Sequence, residues 1–308
     1  MRFTHKFTAI LLFALPVLAA TVEDLGILAQ GPAALEGIDF GRDGSIYVTS
    51  NIDSTIIKTG AKGQRAVKIP LPAHPQVVLM LKDGGMVVTA HAKLPSFAPN
   101  ASGGPPRLTL TNLDTTILVL DKRGNVKRSF PGPAESFFNG ITRLREGVYI
   151  VADSTGGSLW HLDLRAKKLE RWFTDASVES AQGKGNFGGS NGIKAAKGWV
   201  YYTSRGAMWK VKVGANGKAE GGAVQHSKQG GDDFDVAADG SVYIAGDRKM
   251  LKVAPDGSVS ILAEVGADCP SVRLSPDAKA VIATTRGSFP GAAGPVVPSR
   301  LIKIDLGK

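Results

Sequence analysis

One cysteine, Cys269, stands in 308 residues. No internal disulfide can form, so packing and hydrogen bonding must hold the fold even in an oxidising compartment. Lone among small and apolar neighbours, Cys269 reads as a structural thiol rather than a nucleophile. Aromatics are scarce at 7%, against 38 glycines and 17 prolines, a balance that favours tight turns over long helices. Beyond the first twenty residues no stretch is apolar enough to span a bilayer. No Gly-x-Ser-x-Gly elbow, zinc signature or dinucleotide loop is expected, which sets those enzyme classes aside. Acidic residues are outnumbered, giving a formal net charge of +10. The basic residues scatter through turns and strand edges instead of clustering with aromatics, so no nucleic-acid partner is expected. A bias toward anionic ligands stays open.

The beginning of the chain has the pattern of an export signal. Arg2, His5 and Lys6 form a basic patch, Phe7 to Leu18 is an apolar run broken by Pro16, and Leu18-Ala19-Ala20 offers a small-residue cleavage site. Residues 1–20 are expected to be a signal peptide, and 21–308 a single secreted or periplasmic domain. No Cys follows the cleavage site, so no lipid or other membrane anchor is expected. The expected partner is a small-molecule ligand or substrate, and the expected state is a monomer.

What the chain does contain is a repeat. A polar residue precedes an apolar run, a turn and a second β-rich run. Aligned on the turn, Glu36 precedes Gly44 by eight residues, as Gln76 does Gly84, Asn139 Gly147 and Asp232 Gly240. Asn191 precedes Gly198 by seven, and Pro270 precedes Ala278 by eight. Each copy continues into two further short strands, with hairpin signals such as Ala215-Asn216-Gly217-Lys218 and Pro255-Asp256-Gly257-Ser258. Six copies of four antiparallel strands predict an all-β, six-bladed β-propeller. The last copy, ending at Arg300–Leu306, lacks a strand, and the run Val22–Leu28 is expected to supply it and close the ring.

In a propeller the first strand of each blade lines the central channel, so equivalent starting residues meet at one mouth. Here they are Glu36, Gln76, Asn139, Asn191, Asp232 and Pro270 or Ser271. Such a concentration of carboxylates and amides costs desolvation unless something binds them. The exits of the second strands, at Ser50-Asn51, His91, Asp153-Ser154, Ser204-Arg205, Asp247-Arg248 and Thr284-Thr285-Arg286, are expected to form the rim. Three long insertions, Ala92–Asp114, Asp175–Ser190 and Gly287–Ser299, read as lids on the same face. Oxygen-only donors with two carboxylates suit a hard divalent cation such as Ca²⁺, with Glu36, Asn139, Asn191 and Asp232 as candidate ligands. Asn139, Asp233, His74, His91 and Arg205 are the candidate substrate contacts, and Asp232 the candidate base for lactone or ester hydrolysis. The competing reading of each Asn-Gly pair is a plain turn.

At these residues the chain resembles the gluconolactonase and regucalcin family of six-bladed propellers. The resemblance implies a divalent metal held directly by Glu36, Asn191 and Asp232, with Asn139 on metal-bound water or substrate and Asp232 as base. The sequence departs from the family's usual Pro-Asn-Gly and Pro-Asp-Gly, reading Phe138-Asn139-Gly140, Ser190-Asn191-Gly192 and Gly231-Asp232-Asp233-Phe234. In this it is similar to a divergent branch that includes fungal propellers resembling hetero-Diels–Alderases. Three functions therefore stand side by side: a metal-dependent lactonase-like hydrolase, a non-hydrolytic pericyclase- or isomerase-like enzyme, and a non-catalytic ligand-binding propeller.

Overall fold

The computed structural model describes residues 20–60, 66–98, 107–110, 112–184, 186–288 and 295–307. Apart from Ala20, the expected signal peptide lies outside the described residues. Six four-stranded antiparallel sheets surround one axis, and no helix occurs among the described residues.

β1 (Val22–Ala29) belongs to the last blade. Blade one is β2 (Leu35–Phe40), β3 (Ile46–Ser50), β4 (Thr55–Thr59) and β5 (Val67–Pro70). Blade two uses β6 (His74–Met80) and β7 (Met86–His91), is interrupted by the ribbon β8 (Ser96–Ala98)–β9 (Arg107–Thr109), and resumes with β10 (Thr115–Leu120) and β11 (Val126–Pro131). Blade three is β12 (Phe138–Arg145), β13 (Val148–Asp153), β14 (Leu159–Asp163) and β15 (Lys168–Phe173). Blade four is β16 (Ile193–Ala196), β17 (Trp199–Ser204), β18 (Ala207–Val213) and β19 (Ala219–Ser227). Blade five is β20 (Phe234–Val236), β21 (Val242–Ala245), β22 (Lys249–Val253) and β23 (Val259–Glu264). Blade six is β24 (Ser271–Leu274), β25 (Ala280–Thr285) and β26 (Ser299–Asp305), completed by β1, with Val22 opposite Ile304 and Ala29 opposite Ser299. The expected ring closure is therefore present, with β1 one residue longer than expected and β26 one residue earlier in the chain.

The turns behave as the alignment requires. Gly44, Gly84, Gly147, Gly198 and Gly240 have φ between 75° and 94°, a region open to glycine. Ala278 holds the same place in the sixth repeat at φ 55°, carrying a side chain where its five counterparts have none. Second strands such as β3, β13 and β25 are buried at every residue, because each is covered by a neighbouring blade on both faces. The core consequently lies between blades. Tyr47 and Ile56 of blade one pack with Val78, Met86 and Leu118 of blade two, and Tyr243 and Met250 of blade five pack with Val272 and Val281 of blade six.

Two devices fix the inner strands. β2, β6 and β12 each carry a β-bulge, at Glu36-Gly37, at Gln76 and at Asn139-Gly140. A bulge takes a residue out of the ladder and re-aims its side chain, here that of the polar residue of each repeat. Secondly, Thr49, Thr89 and Thr203 tie blade one to two, two to three and four to five. Thr49 Oγ1 accepts from Gly37 N–H (2.6 Å) and donates to Gln76 O of blade two (2.8 Å). Thr89 Oγ1 accepts from Val77 N–H (3.1 Å) and donates to Asn139 O (2.6 Å), and Thr203 Oγ1 accepts from Gly192 N–H (3.0 Å) and donates to Asp232 O (3.3 Å).

Neither Asn-Gly pair is a turn. A Cβ on Gly140 would lie 2.5 Å from Asn191 O, and one on Gly192 would lie 2.9 Å from Asp232 O. These glycines let neighbouring inner strands touch, with Gly140 N–H donating to Asn191 O (3.3 Å) and Gly192 N–H to Asp232 O (3.1 Å).

Candidate active site

At the mouth where the inner strands begin lies a cavity of about 580 Å³. Its floor carries Glu36, Gln76, Asn139, Asn191 and Asp232, so five of the six ring positions converge as expected. The sixth does not. Ser271 is turned away to donate to Asp233 Oδ2 (3.1 Å), and Arg286 reaches into the cavity instead, from just past the end of β25.

Arg286 organises the floor. Its Nη2 lies 3.0 Å from Asp232 Oδ2 and 3.4 Å from both oxygens of Glu36, while its Nη1 lies 3.0 Å from Asp268 Oδ2. Asn191 Nδ2 donates to the other Asp232 oxygen, Oδ1, at 2.8 Å. Burial pushes the Glu36 carboxyl up to about 7; the Arg286 charge opposes that rise and the Asp232 and Asp268 charges add to it. Asp232 is raised for the same leading reason, with Arg286 and the Asn191 hydrogen bond pulling against it. Arg286 is held firmly cationic: Glu36, Asp232 and Asp268 together outweigh the burial that disfavours its charge.

The walls are apolar. Ile52, Leu94, Pro95, Leu110, Phe137 and Phe187 line them, so the insertion after β7 and the one before β16 both contribute, as lids would. Phe137 stacks on His91, with centroids 4.1 Å apart and planes 15° from parallel, and meets Phe187 edge-on at 6.4 Å. The chain leading into Phe137 is clamped by the buried carboxylate of Asp153. That group accepts from Ser136 Oγ (2.6 Å), Phe137 N–H (3.0 Å), Gly156 N–H (2.8 Å) and Trp160 Nε1 (3.0 Å).

Four expected substrate contacts lie elsewhere. His91 is fully buried behind Phe137, and burial pushes its pKa down to about 3, which keeps it a neutral packing ring. His74 sits behind the rim, its Nδ1 on Ser54 Oγ (2.8 Å) and Asn51 O (3.0 Å), and so braces Asn51 rather than a ligand. Arg205 is exposed and donates to Ala176 O (3.2 Å). Asp233 turns from the cavity to Lys194 (2.7 Å) and Ser271. Asn139 does line the cavity, its Nδ2 donating to Ser154 Oγ at 3.3 Å. Beyond the expected set the structure adds Asn51, whose Nδ2 donates to Gln76 Oε1 (2.9 Å), and the aromatic pair Phe137 and Phe187. Asn51 and Arg286 were legible as strand exits, since both directly follow a second strand.

Contrary to expectation, the chain does spell two of these motifs, though without their structural setting. Gly188-Gly189-Ser190-Asn191-Gly192 has the letters of a nucleophile elbow, and 183–188 those of a dinucleotide loop. Both precede the strand β16 rather than a helix. Ser190 is buried, its Oγ donating to Asp153 O and accepting from Asp153 N–H, both at 3.1 Å. At the other end of the channel a cavity of about 380 Å³ is lined by Asp39, Arg42, Arg143, Lys194, Asp235 and Arg273. There Arg273 is spent on Asp39 (3.0 Å) and Asp235 (3.6 Å), and none of the ring residues is present.

No family profile matches the sequence, and no curated protein matches it significantly. Solved structures do. A luciferin-regenerating enzyme superposes with a TM-score of 0.67 at 13% identity, covering 94% of this chain and 96% of its own. Regucalcin from Agrobacterium tumefaciens, a calcium-binding protein, gives 0.66 at 14%, covering 93% and 95%. A gluconolactonase from Xanthomonas campestris gives 0.67 at 11%, covering 93% and 89%. This chain has the fold of the gluconolactonase- and regucalcin-like six-bladed propellers. At such identities the likeness is one of fold.

The divalent cation implied by that resemblance can be tested against the floor. Ca²⁺ needs oxygens at about 2.3–2.6 Å. The place from which an ion would reach both Glu36 and Asp232 is taken by Nη2 of Arg286. Among the described residues no group of three or more His, Cys, Asp or Glu is placed to hold a metal. The donor types suit a hard cation, but the arrangement does not fit one.

Proposed function

We propose that the protein is a lactonase-type hydrolase acting on small cyclic esters with an apolar body. One observation carries this reading: two carboxylates of raised proton affinity, Glu36 and Asp232, share the floor of an apolar-walled cavity at the channel mouth. A general base works best when its pKa lies near the working pH, and burial moves these carboxyls in that direction. Water on the floor attacks the lactone carbonyl carbon. Its proton passes to the carboxylate pair, Asp232 being the member that Asn191 and Arg286 orient. The ring C–O bond then breaks, and the released alkoxide takes a proton back, leaving a hydroxy acid. Asn139 has a second amide N–H that Ser154 does not use, and it is the donor for the carbonyl oxygen. Phe137, Phe187, Leu94 and Leu110 would hold an alkyl or aryl substituent, so the substrate is more apolar than a bare sugar lactone.

The basic-apolar start of the chain supports export, and the monomer stays part of this proposal. The test is hydrolysis of a panel of alkyl- and aryl-substituted γ- and δ-lactones, followed by pH-stat. Asp232→Asn, verified as folded by circular dichroism, should lose about 10²–10⁴-fold in kcat, the range of general-base removal. Full activity in that variant, or no turnover of any lactone by the wild type, would overturn the proposal. The same apolar wall also favours a second reading, a pericyclase-like site for a reactive polyene in which the carboxylates only orient the ligand. Isomerisation without uptake of water would be its signature.

A further inference from the structure

We infer that Arg286 is the resident cation of this site, standing where a propeller of this fold would place a divalent metal, so that the floor works without one. The inference shares its residues with the hydrolase reading but rests on geometry that holds whatever the reaction. Carboxylates from three separate segments converge on one guanidinium. Glu36 comes from the bulge of β2, Asp232 from the approach to β20, and Asp268 from the loop between β23 and β24. The fork uses separate nitrogens for separate acids, Nη2 for Glu36 and Asp232 and Nη1 for Asp268. A guanidinium offers five donors in a rigid plane and keeps its charge throughout the pH range of a folded protein. It is therefore a permanent counter-ion, which a dissociable metal is not.

The backbone holds the arm in place. Arg286 N–H donates to Asp268 O at 2.8 Å, so the residue is bonded to Asp268 through both main chain and side chain. Immediately after it, Gly287 passes so close to Val297 that a Cβ there would lie 2.4 Å from the Val297 carbonyl oxygen. Gly287 N–H in turn donates to Ser299 Oγ (3.1 Å), at the start of β26. The guanidinium is thus delivered from a fixed strand exit. It fills the sixth place of the ring, where β24, the inner strand of blade six, contributes no side chain.

The experiment uses the intact protein, stripped with chelator and then titrated with Ca²⁺, Mg²⁺, Mn²⁺ and Zn²⁺ by calorimetry and thermal unfolding. The wild type should show no saturable heat and no shift in Tm at millimolar ion. Arg286→Ala leaves the three carboxylates without their counter-ion and should gain saturable Ca²⁺ binding and a Ca²⁺-dependent rise in Tm. Arg286→Lys, which keeps the charge, should behave as the wild type does. Saturable divalent binding by the wild type, abolished by Glu36→Gln, would overturn the inference. So would a folded Arg286→Ala protein that ignores Ca²⁺. If that variant does not fold, the wild-type titration decides alone. Absence of lactone turnover would sink the hydrolase reading and leave this one untouched, because its readout is ion binding.

Discussion

Replacing Glu36 by Gln should flatten the dependence of stability on pH. In the folded protein the Glu36 carboxyl is pushed from its ordinary 4.5 up to about 7, chiefly by burial. Between those values the native state holds a proton that the unfolded chain releases. Stability is therefore complete below about pH 4.5 and declines as pH rises toward 7. The displacement corresponds to about 3 kcal/mol at 1.36 kcal/mol per pKa unit, an upper figure because Glu36 and Asp232 share the protons. Gln has the shape of the protonated acid and nothing to titrate. Urea denaturation at pH 5, 6, 7 and 8 should show wild-type stability declining across that range by up to about 3 kcal/mol, and that of Glu36→Gln declining much less. At about 2–4 °C per kcal/mol for domains of 150–250 residues, the gap in Tm at pH 8 should be several degrees. Parallel profiles for the two proteins would refute the argument that burial, rather than Arg286, dominates this carboxylate. In activity, the limb that rises with pH near 7 belongs to the Glu36–Asp232 pair and should shift in the variant.

Other perturbations follow from packing. Gly140→Ala sets a Cβ 2.5 Å from the Asn191 carbonyl oxygen and should cost about 1–3 kcal/mol as blades three and four are forced apart, read by chemical denaturation. It should also lower kcat, since Asn139 and Asn191 move relative to each other. Asp153→Ala strands Phe137 N–H, Gly156 N–H and Trp160 Nε1 without their acceptor and should cost about 3–5 kcal/mol, with quenching or a red shift of tryptophan emission as a second readout. Phe137→Ala removes a wall while leaving the floor, so KM for aryl-substituted lactones should rise more than that for small ones. Ala278→Gly relieves a left-handed φ of 55° and should stabilise by up to about 1 kcal/mol, the αL strain being partly offset by the freer unfolded chain.

The repeat made the ring legible. A polar residue seven or eight positions before a turn glycine is a local pattern, and propeller geometry turns five such patterns into one place. That carried Glu36, Asn139, Asn191 and Asp232 to the same cavity. It left open which way each side chain near the mouth points. His91 and Arg205 are strand exits like Asn51 and Arg286, but exit position alone does not say whether a side chain turns inward. His91 lies beneath Phe137, and Arg205, with φ 55°, turns outward. Asp233 neighbours Asp232, yet adjacent residues of an extended chain point opposite ways, which sends one to the cavity and the other to Lys194. The role of Arg286 lay beyond any pattern within one repeat, because its partners Glu36, Asp232 and Asp268 come from blade one, blade five and the loop before blade six.

The sheet in which β1 lies against β26 makes the two ends of the domain neighbours. Five blades are each built from one continuous stretch and can form as the chain emerges. The sixth waits for the last strand, since Val22 finds Ile304 only after every residue between them has been made. Ring formation is thus a late event with the largest loop to close, and the same seam is the natural place for thermal opening to start. Joining the ends by a short linker and cutting the chain at an outer hairpin, such as that at Asn216-Gly217, would move the seam to another blade. The axial floor would keep its geometry while the order of assembly changed, separating how this ring is made from what it holds.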